Sequence, residues 1–261
     1  MEKKRCAVVT GGNKGIGFEI CRQLASNGIE VILTARNESR GIEAVKKLHD
    51  SGLPNILFHQ LDINDPQSIA SLAKFIETNF KKLDILINNA ALIGIIMHEK
   101  EFKAGAGFVQ VLDENVHLLA ELSNSPRIVN VTSTYGELSY LHNEKLKEEL
   151  RDMKNVTEER IEEIIQWFLR DFKASKLQEN GWPLTVSAYK AVLNAYTRLL
   201  AKKFPNFIIN CVHPGYVETD MTIQTGFIKV EEGARAPVMA ALLPDDDPSG
   251  VYFQQMEITP F

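Results

Sequence analysis

Apolar runs and amphipathic stretches alternate regularly along the first ninety residues. Segments typical of strands lie at 6–10, 30–34, 56–61 and 84–88, and the first is a continuous apolar run, as expected for a parallel strand buried on both faces. Between them, apolar side chains recur every three or four positions, which predicts helices. Asn37 and Asp65 are N-cap residues, Pro66 suits a first helical position, and Gly28 can end the first helix. The alternation predicts an α/β fold built on a parallel sheet.

The second half keeps this pattern, with one charged interruption. Its predicted elements are helices at 108–122, 187–203 and 230–243, and strands at 127–132, 207–212 and 251–254. Residues 142–180 are rich in Glu and Lys and carry two helical patterns, at 144–153 and 158–173. We therefore expect a single domain over residues 1–261 with a doubly wound parallel sheet of the Rossmann type. A helical insertion at about 138–182 precedes the helix that begins at residue 187.

Composition and charge narrow the function classes. The net charge of −5 and the pI near 5.8 give no basic field, so we expect no nucleic-acid partner. No apolar stretch is long enough to cross a bilayer, and the first strand begins at Arg5 without room for a secretory leader, so we expect no membrane association and a cytoplasmic location. The three cysteines lack metal-ligand spacing, which favours buried free thiols and no metal site.

A glycine-rich segment joins the first predicted strand to the first predicted helix. It reads Thr-Gly-Gly-Asn-Lys-Gly-Ile-Gly over residues 10–17 and is hereafter called the glycine loop. Glycines allow a tight turn and close approach to a pyrophosphate, while the helix N-terminus offers free N–H groups and a partial positive charge. An ordinary turn is the alternative, but the strand–turn–helix context favours a dinucleotide. The candidate cofactor-binding residues here are Thr10, Gly11, Asn13, Lys14, Gly15, Ile16 and Gly17.

The end of the second predicted strand indicates which dinucleotide binds. A free ribose 2′-OH is usually held there by an acidic side chain. This chain has Arg36 instead, and Lys14 adds a second cation from the glycine loop. Two cations would attract a 2′-phosphate, so we expect NADP(H) as the cofactor. The alternative is that Arg36 only extends into solvent at the end of the strand.

Five ordered segments together resemble a known enzyme family. They are the glycine loop, Leu-Asp-Ile at 61–63, Asn-Asn-Ala at 88–90, Asn-Val-Thr-Ser at 130–133 and His-Pro-Gly-Tyr-Val-Glu-Thr-Asp at 213–220. The chain resembles the short-chain dehydrogenases/reductases over nearly its whole length. Asn-Ala-Tyr-Thr-Arg at 194–198 and Glu-Glu-Gly-Ala at 231–234 are typical of the plant carbonyl reductases similar to neomenthol dehydrogenase and salutaridine reductase.

The resemblance implies a role for individual residues. Asp62 would hold the adenine, and Ser133 would hydrogen-bond the substrate carbonyl. The remaining cofactor-binding residues implied are Asn89, Ala90, Pro214, Gly215, Val217 and Thr219. Each also has a structural alternative: the polar residues could cap strand ends, and Pro214-Gly215 could form only a turn.

The family's reaction also needs a tyrosine that donates a proton to the carbonyl oxygen, and a lysine four residues later that lowers the phenol's pKa. No tyrosine in this chain has a lysine at that spacing, because Tyr189 is followed at once by Lys190. If Lys190 keeps the lysine's position, Val186 falls where the phenol belongs. If Tyr189 keeps the tyrosine's position, Leu193 falls where the ammonium belongs. Adjacent helical side chains diverge by about 100°.

Two functions follow from these patterns. The first is an NADPH-dependent carbonyl reductase or alcohol dehydrogenase for a small hydrophobic, terpenoid- or alkaloid-like ketone or alcohol, with Ser133, Tyr189 and Lys190 catalytic. The second is a catalytically impaired relative that binds NADP(H) without a working tyrosine–lysine pair.

The family also has a longer helix before the fifth strand with an active-site asparagine, for which Asn115 is the only candidate. In the resembling group, a helical insertion like the one at about 138–182 covers the surface other members use to dimerise, which implies a monomer. Trp167 and Phe168 on it could equally help to wall a hydrophobic substrate pocket.

Overall fold

A mostly parallel sheet of eight strands forms the centre of the molecule. The computed structural model describes residues 5–90, 125–182 and 187–260, apart from the side chains of residues 187–189. The strands are β1 (Cys6–Val9), β2 (Glu30–Ala35), β3 (Ile56–Gln60), β4 (Ile85–Asn88), β5 (Arg127–Val131), β6 (Ile208–His213), β7 (Tyr252–Gln254) and β8 (Glu257–Thr259). Their order in the sheet is β3-β2-β1-β4-β5-β6-β7-β8. The direction of winding reverses between β1 and β4, which makes the doubly wound arrangement predicted from the sequence.

The described helices begin and end close to the predicted signals. They are α1 (Gly15–Ser26), α2 (Glu38–Asp50), α3 (Pro66–Asn79), α4 (Glu144–Asp152), α5 (Glu158–Lys173), α6 (Ser187–Lys203), α7 (Val230–Gly233) and α8 (Arg235–Ala241). The Asn37 side chain accepts a hydrogen bond from the Arg40 backbone N–H, and Asp65 accepts one from Gln67. Both predicted N-caps are therefore confirmed. The predicted helix at 108–122 lies outside the described residues.

Each face of the sheet buries a separate hydrophobic cluster. One cluster packs α1, α2 and α8 on the sheet and includes Leu24, Leu48 and Val238. The other packs α3, the insertion helices and α6, and includes Ile76 and Leu200. Because both faces are covered, the inner strands are apolar on both sides, as the continuous apolar run of the first strand indicated.

The insertion helices α4 and α5 contribute to the core as well as to the charged surface. Leu150, Ile161 and Phe168 are buried in the cluster on the α6 face. Trp182, only 1% exposed, contacts Phe168 at a ring separation of 5.2 Å and donates its indole N–H to Asp171 at 2.8 Å. The Glu- and Lys-rich sequence therefore describes only the outward faces of this insertion.

Two features of the structure differ from the prediction. The single helix predicted at 230–243 is interrupted at Ala234, because Pro237 has no N–H to donate to the Gly233 carbonyl. The sheet also has an antiparallel edge strand, β8, that the sequence did not indicate. No helix in the described ranges is both long and apolar enough to cross a membrane.

Candidate active site

The described candidate residues gather at one edge of the sheet. The glycine loop follows β1, Arg36 follows β2 and Asp62 follows β3. The other candidates follow β4 (Asn89 and Ala90), β5 (Ser133) and β6 (Pro214, Gly215, Val217 and Thr219). These strands are parallel, so their carboxyl ends meet, and the switch point between β1 and β4 is where such sheets bind ligands.

Hydrogen bonds fasten the glycine loop to the segment after β4. The Thr10 hydroxyl accepts the backbone N–H groups of Asn89 and Ala90 at 3.0 and 2.9 Å. The Asn89 amide donates to the carbonyls of Thr10 and Gly11 at 2.9 and 3.3 Å. Thr10 and the Asn89 amide thus hold the walls of the cleft together.

The start of α1 has the form of an anion site. Lys14 is its N-cap residue and makes no side-chain cap, and its first turn carries no acidic residue. Gly11 and Gly15 have φ values of 65° and 56°, which favour glycine. A Cβ at Gly17 would overlap the Asn89 amide nitrogen and the Gly11 carbonyl oxygen. The uncapped N–H groups and the close backbone approach both fit a pyrophosphate.

The residues expected at the adenosine end lie on neighbouring strand ends. The Gly12 N–H donates to the Thr34 carbonyl at 2.8 Å, which brings the glycine loop beside the end of β2. Arg36 is exposed there, and its backbone carbonyl accepts the Gln60 side-chain amide at 3.0 Å. Asp62 accepts the Asn64 N–H at 3.0 Å. Arg36 therefore lies beside the glycine loop, and Asp62 follows the neighbouring strand β3.

The segment after β6 crosses the start of α1. Pro214 and Val217 are buried, and Val217 forms a bridge with Ile228. The Thr219 methyl carbon lies 3.6 Å from where a Cβ would stand on Gly15. Lys14 turns toward this segment, and its ammonium binds the Asp220 carboxylate at 2.7 Å. This ion pair was not expected from the sequence, because its partners are 206 positions apart.

The three candidate catalytic residues belong to β5 and α6. Ser133 follows β5 with an extended backbone, and its hydroxyl accepts the Tyr135 N–H at 3.3 Å. The Lys190 ammonium donates to the Val131 carbonyl at 3.0 Å, two residues before Ser133. Tyr189 precedes Lys190 directly within α6, and its side chain lies outside the described part of the chain. Asn115 lies outside it as well.

Buried polar contacts fix the rotation of α6. Asn194 donates to the Gly136 carbonyl at 3.0 Å, and a Cβ on Gly136 would stand 2.7 Å from the Asn194 amide nitrogen. Farther along, Asn130 donates to the Thr197 hydroxyl at 2.9 Å. Because these contacts hold α6 against β5, they also set where the backbone of Lys190 lies. A polar residue at a buried position of an amphipathic helix is the signal that would have identified Asn194.

A second polar cluster beside the site was not predicted. Glu137 accepts hydrogen bonds from the hydroxyls of Thr134 and Tyr252, at 2.9 and 3.2 Å. Burial and the Glu137 carboxylate raise the pKa of Tyr252. The pKa of His213 is lowered, mainly by burial. The Glu137 carboxylate acts to raise this pKa, and the Lys190 ammonium lowers it further. In the described part of the chain, the His213 Nδ1 has no hydrogen-bond partner.

Comparisons with known proteins agree with this arrangement. The family profile for short chain dehydrogenases matches residues 5–144. The (+)-neomenthol dehydrogenase of Arabidopsis thaliana is 48% identical over all of this chain and 99% of its own. The salutaridine reductase of Papaver somniferum is 45% identical over 99% of this chain and 97% of its own. The chain belongs to the short-chain dehydrogenase/reductase family.

Solved structures of this family share the fold closely. Salutaridine reductase from Papaver somniferum superimposes with a TM-score of 0.87 at 43% identity, over 96% of this chain and 99% of that one. Menthone neomenthol reductase from Mentha piperita superimposes with a TM-score of 0.85 at 40% identity, over 97% of this chain and 99% of that one. The resemblance seen in the sequence is therefore confirmed, and the chain is a member of a family of oxidoreductases.

The alignment with the Arabidopsis relative is longer than this chain. It runs over 293 positions, whereas the chain has 261 residues, so 32 aligned positions have no residue here. The short-chain dehydrogenase/reductase relatives thus carry segments that this chain lacks.

Proposed function

We propose that this chain is an NADPH-dependent carbonyl reductase for a small hydrophobic ketone, or for the matching alcohol in the reverse direction. The observation that carries the proposal is that the glycine loop follows β1, Ser133 follows β5, and the Lys190 ammonium donates to the Val131 carbonyl at the end of β5, so all three lie at the same edge of the sheet. Relatives support the reaction class by their names, which include neomenthol dehydrogenase, salutaridine reductase and a carbonyl reductase [NADPH] of rat that is 38% identical over 93% of this chain.

The residues present fit NADP(H). The uncapped start of α1 and the glycine loop would hold the pyrophosphate, and Arg36 would pair with the 2′-phosphate. Asp62 would hold the adenine, and Asn89, Ala90 and the segment after β6 would line the central cleft and the nicotinamide half. When bound, this cofactor supplies the hydride.

The chain's own groups would orient and protonate the carbonyl. Ser133 lies at the end of β5 and would donate its hydroxyl hydrogen to the substrate oxygen. Lys190, fastened near the same strand end, would place a positive charge beside the developing alkoxide. Tyr189 would donate the proton, and the neighbouring ammonium would ease that transfer by lowering the phenol's pKa.

Exposed aromatic side chains support a hydrophobic substrate. Tyr135 and Tyr140, in the segment after β5, pack edge to face with ring centres 5.4 Å apart. Tyr216 and Phe227, in the segment after β6, contact each other at 5.7 Å, and Phe227 is 82% exposed. Both pairs follow strands whose carboxyl ends meet at the site. Apolar surface of this kind favours an apolar ligand.

A second function, binding of NADP(H) without effective catalysis, is favoured by the contact of Lys190. Its ammonium binds the Val131 carbonyl near Ser133, where the family's lysine is needed. Tyr189 is the preceding residue of the same helix. Consecutive helical side chains diverge by about 100°, so a regular helix directs the phenol away from the group that Lys190 faces.

An insertion experiment separates the two functions. Val-Ser-Lys inserted after Lys190 places a lysine four residues after Tyr189 and directly before Ala191. The contacts of Asn194 and Thr197 fix α6 downstream, so the new lysine should inherit the position of Lys190. We expect both proteins to bind NADPH by fluorescence titration, and the inserted variant to reduce a ketone such as menthone at least about tenfold faster.

A control of equal length makes the result decisive. Insertion of Val-Ser-Met at the same place has the same length without the ammonium, and it should give no gain. Equal rates for the unaltered chain and the Val-Ser-Lys variant would show that the spacing does not limit catalysis.

We also propose that the chain is a monomer, because α5 covers α6 through the ion pair of Lys203 with Glu158 at 2.6 Å. A mass of 29.3 kDa in analytical sedimentation would agree with this proposal.

A further inference from the structure

An ion pair connects the two sides of the cofactor cleft. The Lys14 ammonium lies 2.7 Å from the Asp220 carboxylate, and the two side chains are 61% and 65% exposed. Lys14 is the N-cap residue of α1, and Asp220 begins a 3₁₀ turn after β6. The Lys14 ammonium lowers the pKa of Asp220, so the Asp220 carboxylate is charged at neutral pH.

Asp220 is held in place by its own segment. Its second carboxylate oxygen accepts the Gln224 side-chain amide at 3.1 Å. The segment closes on itself where the Glu218 N–H donates to the Ile228 carbonyl at 2.8 Å, and Lys229 pairs with Glu218. The Asp220 carboxylate is thus held by the Gln224 amide on one oxygen and binds the Lys14 ammonium with the other, which directs Lys14 toward the segment after β6.

The Asp220 carboxylate places a negative charge at the part of the cleft that would receive a negatively charged phosphate. The start of α1 has uncapped N–H groups and no acidic residue in its first turn, so its local field favours phosphate. Asp220 adds a negative charge at the same mouth and neutralises the nearest cation. A phosphate that carries up to two charges attracts an exposed ammonium more strongly than one carboxylate does, and exposed ion pairs are held weakly.

We propose that Asp220 is a positioning residue that holds Lys14 away from the cofactor phosphates, so that NADPH must take Lys14 from Asp220 in order to bind fully. The proposal rests on the proposed function, because it needs a phosphate-bearing cofactor in the glycine loop. Asp220 thereby weakens the binding of NADPH and limits the preference for NADPH over NADH, which has no 2′-phosphate to attract Lys14.

A double-mutant cycle tests this coupling. NADPH and NADH are titrated by fluorescence into the unaltered chain, Asp220→Asn, Lys14→Met and the double variant. We expect Asp220→Asn to tighten NADPH binding about two- to fivefold and NADH binding less, with the gain shrinking at high salt. In the Lys14→Met background the same change should give little or no gain, because no ammonium remains to be released.

A matched variant controls for net charge. Glu232→Gln removes one negative charge from the exposed side of α7, outside the contacts that position Asp220, so it should leave the NADPH affinity within about twofold of the unaltered chain. Unchanged or weaker NADPH binding by Asp220→Asn, or an equal gain with and without Lys14, would overturn the proposal. If the folded, unaltered chain binds no NADPH at all, the proposed function fails and this inference fails with it.

Discussion

At the scale of the residue, the proposed preference for NADPH depends on the charge that follows β2. Arg36 is exposed beside the glycine loop, at the position where an acidic side chain would hold a ribose 2′-OH. We expect Arg36→Asp to weaken NADPH binding at least about tenfold while changing NADH binding much less, since only NADPH loses a 2′-phosphate contact and gains a repulsion. Fluorescence titration of both cofactors measures the ratio.

A control close by separates specific from general charge effects. Arg40→Asp makes the same charge change one helical turn later, on the exposed face of α2. It should reduce NADPH affinity only slightly, and less at high salt. If both variants lose NADPH and NADH equally, Arg36 does not read the 2′-phosphate and the cofactor assignment is wrong.

Local sequence made the position of the glycine loop predictable, whereas contacts between residues far apart in the chain were not. The glycine loop is contiguous in sequence and has a mechanism that needs its glycines, so its position before α1 could be stated in advance. The pairing of Lys14 with Asp220 and that of Glu137 with Tyr252 join residues far apart in the chain. Only the order of strands in the sheet brings such partners together.

At the scale of the element, predictions succeeded where start and stop signals are strong. Asp65-Pro66 fixes the beginning of α3 because the carboxylate caps and proline prefers the first turn. The edge strand β8 was missed because its turn, at Gln255 and Met256, has no glycine or asparagine, although Gln255 takes a φ of 56°. The interruption at Ala234 was also missed, because the apolar period continues across it.

A buried hydrogen bond joins α5 to the end of the insertion. The Trp182 indole N–H donates to the Asp171 carboxylate, and both residues are buried. Trp182→Phe keeps an aromatic ring but leaves that carboxylate without its donor. We expect the free energy of unfolding in urea to fall by about 2–3 kcal/mol, because removing one partner of a buried charged hydrogen bond exposes the full cost of its burial.

The neighbouring tryptophan provides a control for ring size. Trp167 is only partly buried and contacts Trp182 with ring centres 4.8 Å apart. Trp167→Phe makes the same change of ring and should cost less than about 1 kcal/mol. Equal losses from the two substitutions would mean that lost packing, and not the bond to Asp171, dominates. Asp171→Asn should recover part of the stability of Trp182→Phe, since it removes the unpaired charge.

At the scale of the whole molecule, two packed layers on one sheet leave the thiols inaccessible. Cys6 and Cys21 lie in the two different clusters, and Cys211 is buried in β6. Burial raises the pKa of Cys6 and of Cys211 to about 12, and it raises the pKa of Cys21 as well. In moderately alkaline solution these thiols ionise only when the chain unfolds. The free energy of unfolding of the entire fold should therefore depend on pH in that range.

The direction of that dependence follows from which state loses protons first. Below about pH 9 the thiols are protonated in both states, so their contribution to stability is constant. Between about pH 9 and pH 12 the unfolded chain has released protons that the folded chain keeps. The free energy of unfolding should therefore fall by about 1.4 kcal/mol per pH unit for each buried thiol. Urea unfolding from pH 8 to 10.5 measures the slope, and Cys211→Ala should make it shallower by one thiol's share. The same slope in both proteins would mean that Cys211 is already ionisable in the folded state, and that the β6 region opens without global unfolding.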